Sequence, residues 1–364
     1  MSIDRDPRPP VKAKASAGDK RARALRAGGL SVRYDVRAGV LTLLTGVVAL
    51  AVAVALVLGG GGDFPMSPGE VVQTLLGNGA MAQEFIVLDV RLPRVLTALL
   101  VGAALGLSGS VFQSVSRNPL GSPDMLGFSQ GAMVGALVVI VLFQGNNWTI
   151  AVGSLVGCLI TGVLVYLLAW KRGVHGYRLV LVGIAAAAML TAVMQYLLTK
   201  ADLADATEAM VWLTGSLDGR GWEQVWPMAV ACVVLVPLVL RHGRALRMME
   251  MGDDAAFALG VPVERVRVVL IVLAVLLMGA ATAAAGPIVF VALSAPQVAR
   301  RLTRAPGPNL VASALMGSML LVVADWAAQS AFGERQLPVG VVTGVVGGCY
   351  LLWLLVTERK AGRL

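Results

Sequence analysis

The chain has 364 residues, 57% of them hydrophobic and only 14% charged, with a mean hydropathy of +0.79. A soluble domain carries about 25% charged residues, so the composition excludes an ordinary water-soluble fold. The net charge of +9 would point to nucleic acid in a soluble protein, but here the basic residues cluster between apolar runs long enough to cross a bilayer, which makes them markers of topology.

Residues 1–37 hold Pro7, Pro9, Pro10 and ten Lys or Arg. They read as a disordered basic tail with room for a short surface helix at its end. No early apolar core with a small-residue cleavage site is present, so no cleavable signal is expected. The membrane domain is expected over 38–357, and residues 358–364 form a second tail. The first span is Ala38–Leu58, broken by Gly59–Gly62. Ser67 as N-cap and Pro68 at the first helical position open a short amphipathic helix, and the whole stretch Met66–Leu88 is placed on the membrane surface. The second span runs from Leu92 to Val115, and Ser116–Phe128 is a Pro/Gly turn.

The third span is Gly127–Phe143, the fourth Trp148–Trp170 and the fifth Leu179–Leu198, with a charged loop, Lys171–Arg178, between the last two. Lys200–Gly221 is polar and holds a short helix at Asp205–Leu217. The sixth span, Trp222–Leu240, leads into the longest internal polar stretch, Arg241–Arg267. Val268–Ala285, Gly286–Leu302, Leu310–Ser330 and Val339–Val356 complete a set of ten. The fold class is therefore an all-α polytopic membrane protein. With both termini on the cytoplasmic side of a bacterial plasma membrane, 25 of the 30 Lys and Arg fall on that side, as the positive-inside rule requires. The exceptions are Arg91, Arg94, Lys200, Arg220 and Arg335.

Small residues recur at helical spacing: Gly102 with Gly106, Gly127 with Gly131 and Gly135, Gly153 with Gly157, and Gly340 with Gly344 and Gly348. Such ridges let helices approach closely in lipid. Chemistry is scarce. No lysine follows a glycine, so a phosphate-cradling P-loop is missing. His175 and His242 lie in separate loops without paired acids or cysteines, which leaves no zinc or nucleophile–base reading. Cys158, Cys232 and Cys349 sit in apolar runs, as small core residues rather than a disulfide framework. No cofactor and no catalytic site are expected. Asp325 is the clearest intramembrane carboxylate, read as a structural pair or as part of a transport path. A transporter with no engine of its own needs a partner. The loop Arg241–Arg267 offers a docking element in the short, partly apolar stretch between Gly252 and Gly260.

Four segments carry a resemblance: Arg91–Ala132, Met251–Arg267, Ala285–Leu302 and Leu337–Leu355. In this order and spacing they are similar to the permeases of bacterial importers for iron–siderophore complexes, haem and vitamin B12, and FIVLDVRLPR together with the basic N-terminus resembles the ferric enterobactin branch. The resemblance implies the ten-helix type II importer fold. It also implies two ATP-binding cassette subunits on one side, a substrate-binding lipoprotein or periplasmic protein on the other, and a second permease subunit, with a heterodimer favoured. Gly252, Asp253, Asp254, Ala255, Ala256, Phe257, Leu259 and Gly260 match the family's coupling helix. Arg91 and Arg94, and Arg335 more loosely, match arginines that pair with glutamates on the binding protein. Gln195, Trp212 and Asp325 are expected along the pathway or its gate. The implied substrate is a ferric siderophore of catecholate type. A vitamin B12 or haem permease, an ion-coupled secondary carrier and a membrane scaffold are the alternatives.

Overall fold

The structure, a computed structural model, describes residues 22–27, 30–58, 66–170, 176–305, 307–330 and 337–360. Near the N-terminus, β1 (Ala22–Ala27) and β2 (Leu30–Asp35) pair antiparallel, with Ala22 opposite Asp35 and Ala27 opposite Leu30. Disorder or a surface helix is the expectation there, and the pairing differs from it. The sequence separates the two strands by two glycines, the residue type that short hairpin connections use.

The rest is helical. α1 (Val36–Leu58) is the first span. α2 (Pro68–Leu75) starts where the sequence places it: the Ser67 hydroxyl accepts from the Glu70 N–H at 3.3 Å, and the Glu70 carboxylate accepts from the Ser67 N–H at 2.7 Å. The surface segment is shorter than expected. α3 (Met81–Glu84), a π-helical stretch (Phe85–Arg91) and α4 (Leu92–Ser116) run on as one 36-residue rod, Met81–Ser116. Pro93 lies one residue after Leu92, the expected start of the second span. Here it sits inside a continuous helix, and the wider π turn, closed by the Leu92 N–H on the Val87 carbonyl, accommodates the donor that proline lacks.

α5 (Phe128–Val138) continues in a second π stretch to Phe143. α6 (Asn147–Ala169), α7 (Gly176–Lys200), the short α8 (Leu203–Leu213) and α9 (Trp222–Arg241) follow. Next come two short helices, α10 (Gly243–Glu250) and α11 (Asp253–Ala258), then α12 (Val263–Ala285), α13 (Val291–Thr303), α14 (Leu310–Ser330) and α15 (Val339–Lys360). Among the described residues, seven helices are long and apolar enough to cross a membrane, and Phe128–Phe143 and Val339–Trp353 are shorter apolar helices. α13 occupies the place of the remaining expected span, Gly286–Leu302. α13 is short because residues 286–290 are not helical: Gly286 (φ 75°) and Phe290 (φ 68°) turn the chain beneath α8. The Ser216 N–H bonds the Ala285 carbonyl at 3.0 Å there.

α4 and α12 form the core, packed among α6, α9, α13 and α14. Their buried residues lie around the whole helix, the pattern of a helix enclosed by protein. α1, α7 and α9 turn Leu43, Met189, Val233 and similar side chains outward, which suits lipid. Two glycine ridges are true crossing points. Gly102 and Gly106 on α4 meet Gly317 and Ser313 on α14, and a Cβ at Gly102 would lie 2.7 Å from the Ser318 Cα. Gly131 and Gly135 meet Gly153 and Gly157 between α5 and α6. The set Gly340, Gly344 and Gly348 differs: Gly340 packs under the Thr214 carbonyl, but a Cβ at Gly348 would meet nothing.

Candidate functional site

The charged and polar groups gather at the two ends of the bundle. At one end, Gly252 (φ 122°) turns the chain between α10 and α11. α11 is held in place by its first residue. Asp253 accepts from Arg267 on α12 at 2.7 Å and is also paired with Arg117. Arg117 caps α4 in the left-handed region (φ 50°) and donates through Nε to the Met249 carbonyl at 3.1 Å. The Arg267 side chain is only 5% exposed, and it reaches Glu264 as well, at 2.7 Å. Ser114 on α4 donates to Glu250 at 2.7 Å. One carboxylate thus joins α11 to both central helices.

Ala256 is the buried side of α11. Phe257 is 75% exposed and Leu259 59%, while Asp254, Ala255 and Gly260 are also exposed. The Gly260 N–H bonds the Phe257 carbonyl at 2.9 Å, closing the helix. The result is a short rigid knob with an apolar tip. Between α4 and α5, Ser122 caps a 3₁₀ turn, Pro123–Leu126, by accepting from the Asp124 N–H at 3.3 Å. The Asp124 carboxyl is buried, with Oδ1 unpartnered among the described residues. Burial pushes its pKa up to about 6, against a weaker opposing hydrogen bond from Ser122.

At the other end, Arg94 on the long rod donates through Nε and Nη2 to Asp325 on α14, at 3.1 and 2.9 Å. Its Nη1 reaches Asp218, in the turn after α8, at 3.2 Å. Gln329 donates to Asp325 at 2.7 Å. The Arg94 side chain is 12% exposed, that of Asp325 0% and that of Asp218 69%. The same turn is fixed by the Gly340 N–H on the Gly215 carbonyl at 3.0 Å.

The residues expected along a path separate here. Asp325 is fully enclosed and ion-paired with Arg94. Trp212 is buried where α8 packs on α7 and the end of α5. Gln195 is exposed on α7. Arg94, expected to reach a partner, has its guanidinium engaged within the chain. Arg91 sits one turn earlier, half-buried, and donates to the Val57 carbonyl at 3.4 Å. Arg335, like His175, lies outside the described residues. Sequence reasoning missed Asp218, Arg117 and Arg267 as partners, because they meet Arg94 or Asp253 from distant parts of the chain. Their only signal was that each carries charge at a span end.

Known proteins match this arrangement. The model of the FecCD transport family covers residues 47–357. This chain belongs to the FecCD transport family. It is 46% identical over 299 residues to the ferric enterobactin transport system permease protein FepG of Escherichia coli, covering 82% of this chain and 91% of that one. It is 36% identical over 304 residues to the iron(3+)-hydroxamate import system permease protein FhuG of Bacillus subtilis, covering 81% and 90%. Among solved structures, an inward-facing metal-chelate type ABC transporter superposes with a TM-score of 0.76 at 26% identity, over 88% of this chain and 99% of that one. The chain is a multi-pass membrane transport protein.

Proposed function

We propose that the chain is the permease subunit of an ATP-driven importer that moves ferric siderophores of the catecholate, enterobactin-like kind across the bacterial cytoplasmic membrane. The observation that carries the ATP-driven reading is α11: a short helix with Phe257 and Leu259 exposed, tied through Asp253 to both α4 and α12. Such a knob fits a groove on an ATP-binding cassette subunit. Movement of α11 passes through Arg117 and Arg267 into the central helices. The rod Met81–Ser116 carries that movement to Arg94 at the far end. The substrate class rests on the similarity to FepG.

The termini and the α11 end face the cytoplasm, in keeping with the distribution of Lys and Arg. A binding protein docks at the Arg91 end, with Arg94 holding that end together from within, and a second permease subunit, a different chain, completes the pathway. The Arg94–Asp325 pair weighs against an ion-coupled carrier, whose coupling carboxylate has to exchange its cation. Proteoliposomes holding both permeases, the ATPase and the binding protein test the reading. Ferric catecholate uptake should require ATP, and Arg91→Glu should abolish it while the ATPase still co-purifies. Uptake that continues without ATP but stops when the proton gradient collapses would overturn it.

A further inference from the structure

At the end of the bundle that carries Arg94, the first turns of α6 and α9 line one cleft of about 660 Å³. Three tryptophans face it: Trp148 from α6, and Trp222 and Trp226 from α9. The ring centroids of Trp222 and Trp226 lie 6.0 Å apart with 30° between the planes. The Trp222 Nε1–H donates to the Leu88 carbonyl at 3.0 Å, which fixes that ring against the rod. Trp148 is 58% exposed and Trp226 65%. Glu223 and Asn147 line the cleft too, and both are exposed. Glu223 forms no ion pair among the described residues.

A second cleft, of about 590 Å³, adjoins the first, because Trp148 lines both. It follows the α5–α6 crossing and is apolar, lined by Val134 and Val138 of α5, Val152, Val156 and Ile160 of α6, and Leu190 of α7. From Trp148 to Ile160 the helix rises about 18 Å, close to the ~15 Å of hydrocarbon in one leaflet. Tryptophan faces beside a carboxylate attract a cation. A carboxylate accepts hydrogen bonds, so an ammonium with N–H groups suits it better than a fully methylated one. The Asn147 amide offers donors to a phosphate oxygen. An ammonium, a phosphate and an apolar chain of one leaflet's depth occur together in an aminophospholipid.

We propose that α5, α6 and α9 hold one phosphatidylethanolamine molecule from the leaflet at the Arg94 end. Its ammonium lies among Trp148, Trp222 and Trp226 beside Glu223, and one acyl chain lies along the α5–α6 cleft. Charge selects the headgroup, since Glu223 repels one that is net negative. The site is separate from α11 and from the Arg94–Asp325 pair, and it does not depend on which substrate the protein carries.

The purified full-length protein in nanodiscs of equal parts phosphatidylethanolamine and phosphatidylglycerol provides the test. Native mass spectrometry should show phosphatidylethanolamine retained in preference. Glu223→Gln and Trp226→Ala, both at exposed positions, should each lower that preference roughly fivefold. Glu208→Gln, an exposed carboxylate of α8 outside both clefts, should leave it near the wild-type level. Val156→Trp, which fills the apolar cleft, should reduce the amount of phosphatidylethanolamine retained, and an unchanged amount overturns the acyl-chain cleft. Equal retention of the two lipids by the wild type, or a preference unchanged in both Glu223→Gln and Trp226→Ala, overturns the site. Phosphoethanolamine in solution, giving the same protection from heat in nanodiscs of phosphatidylglycerol alone, overturns the lipid as its occupant. Weaker capture of the binding protein by Trp226→Ala, with the lipid preference intact, would make the cleft a protein contact instead.

Discussion

At the scale of single residues, the Arg94–Asp325 pair shows how burial sets the value of a charge. Asp325 is fully enclosed, while Asp218 on the other side of the same guanidinium is mostly in solvent. Removing one partner of a buried pair leaves the other charge uncompensated, at about 3–5 kcal/mol, whereas an exposed partner contributes at most about 1 kcal/mol. Arg94→Ala should therefore unfold in detergent far below the wild type, and Asp218→Asn close to it. The reverse order would show that the pair does not act as a buried ion pair.

Asp124 makes a pH prediction. Its pKa rises from 3.8 to about 6 in the folded protein, so the folded state holds the proton more tightly than the unfolded state. The favourable contribution is complete below pH 3.8, fades as pH rises to about 6, and stays lost above that. The full span is about 3 kcal/mol at most. Thermal midpoints measured from pH 4 to 7 should fall more steeply for the wild type than for Asp124→Asn. Parallel curves would exclude the effect.

At the scale of elements, α11 combines a fixed base with a free tip. Phe257→Ala should leave the thermal midpoint nearly unchanged, since an exposed side chain away from special features contributes within about 0.5 kcal/mol, yet it should reduce co-purification of the ATPase. Asp253→Asn should keep the ATPase bound but loosen α11 from α4 and α12, so ATP hydrolysis continues with less uptake per ATP. Equal uptake per ATP in the variant and the wild type would show that Asp253 does not transmit the motion.

Local signals made some elements readable and hid others. The start of α2 was legible because its two signals, Ser67 as N-cap and Pro68 at the first helical position, are adjacent in the chain. The position of α11 was legible from the glycines around it and from a family resemblance. The rod Met81–Ser116 was not, because nothing local shows that the helix runs on through Pro93 by a π stretch instead of starting at Leu92. Nor was the clamp on α11, because Arg117 and Arg267 reach Asp253 from separate helices.

At the scale of the whole molecule, close crossings hold the bundle together. Gly106 faces the Ser313 carbonyl, and Gly109 faces the backbone of Ala292, with no room for a methyl group. Gly106→Ala should force α4 from α14 and lower stability by about 1–3 kcal/mol, seen as earlier aggregation on heating. Gly348→Ala, facing open space, should not. Equal effects would remove the crossing as their cause.

The sequence by itself determined that the chain crosses a membrane about ten times, while its charge asymmetry and motifs supply the expectation of which end faces the cytoplasm and where a partner docks. These properties follow from local composition, since apolar length and the placement of basic residues need no knowledge of neighbours. Only the tertiary structure decided which charges are available and which are already engaged. Arg94 and Asp325 lie 231 positions apart, and whether each faces a partner, a pathway or the other depends on how α4 packs against α14.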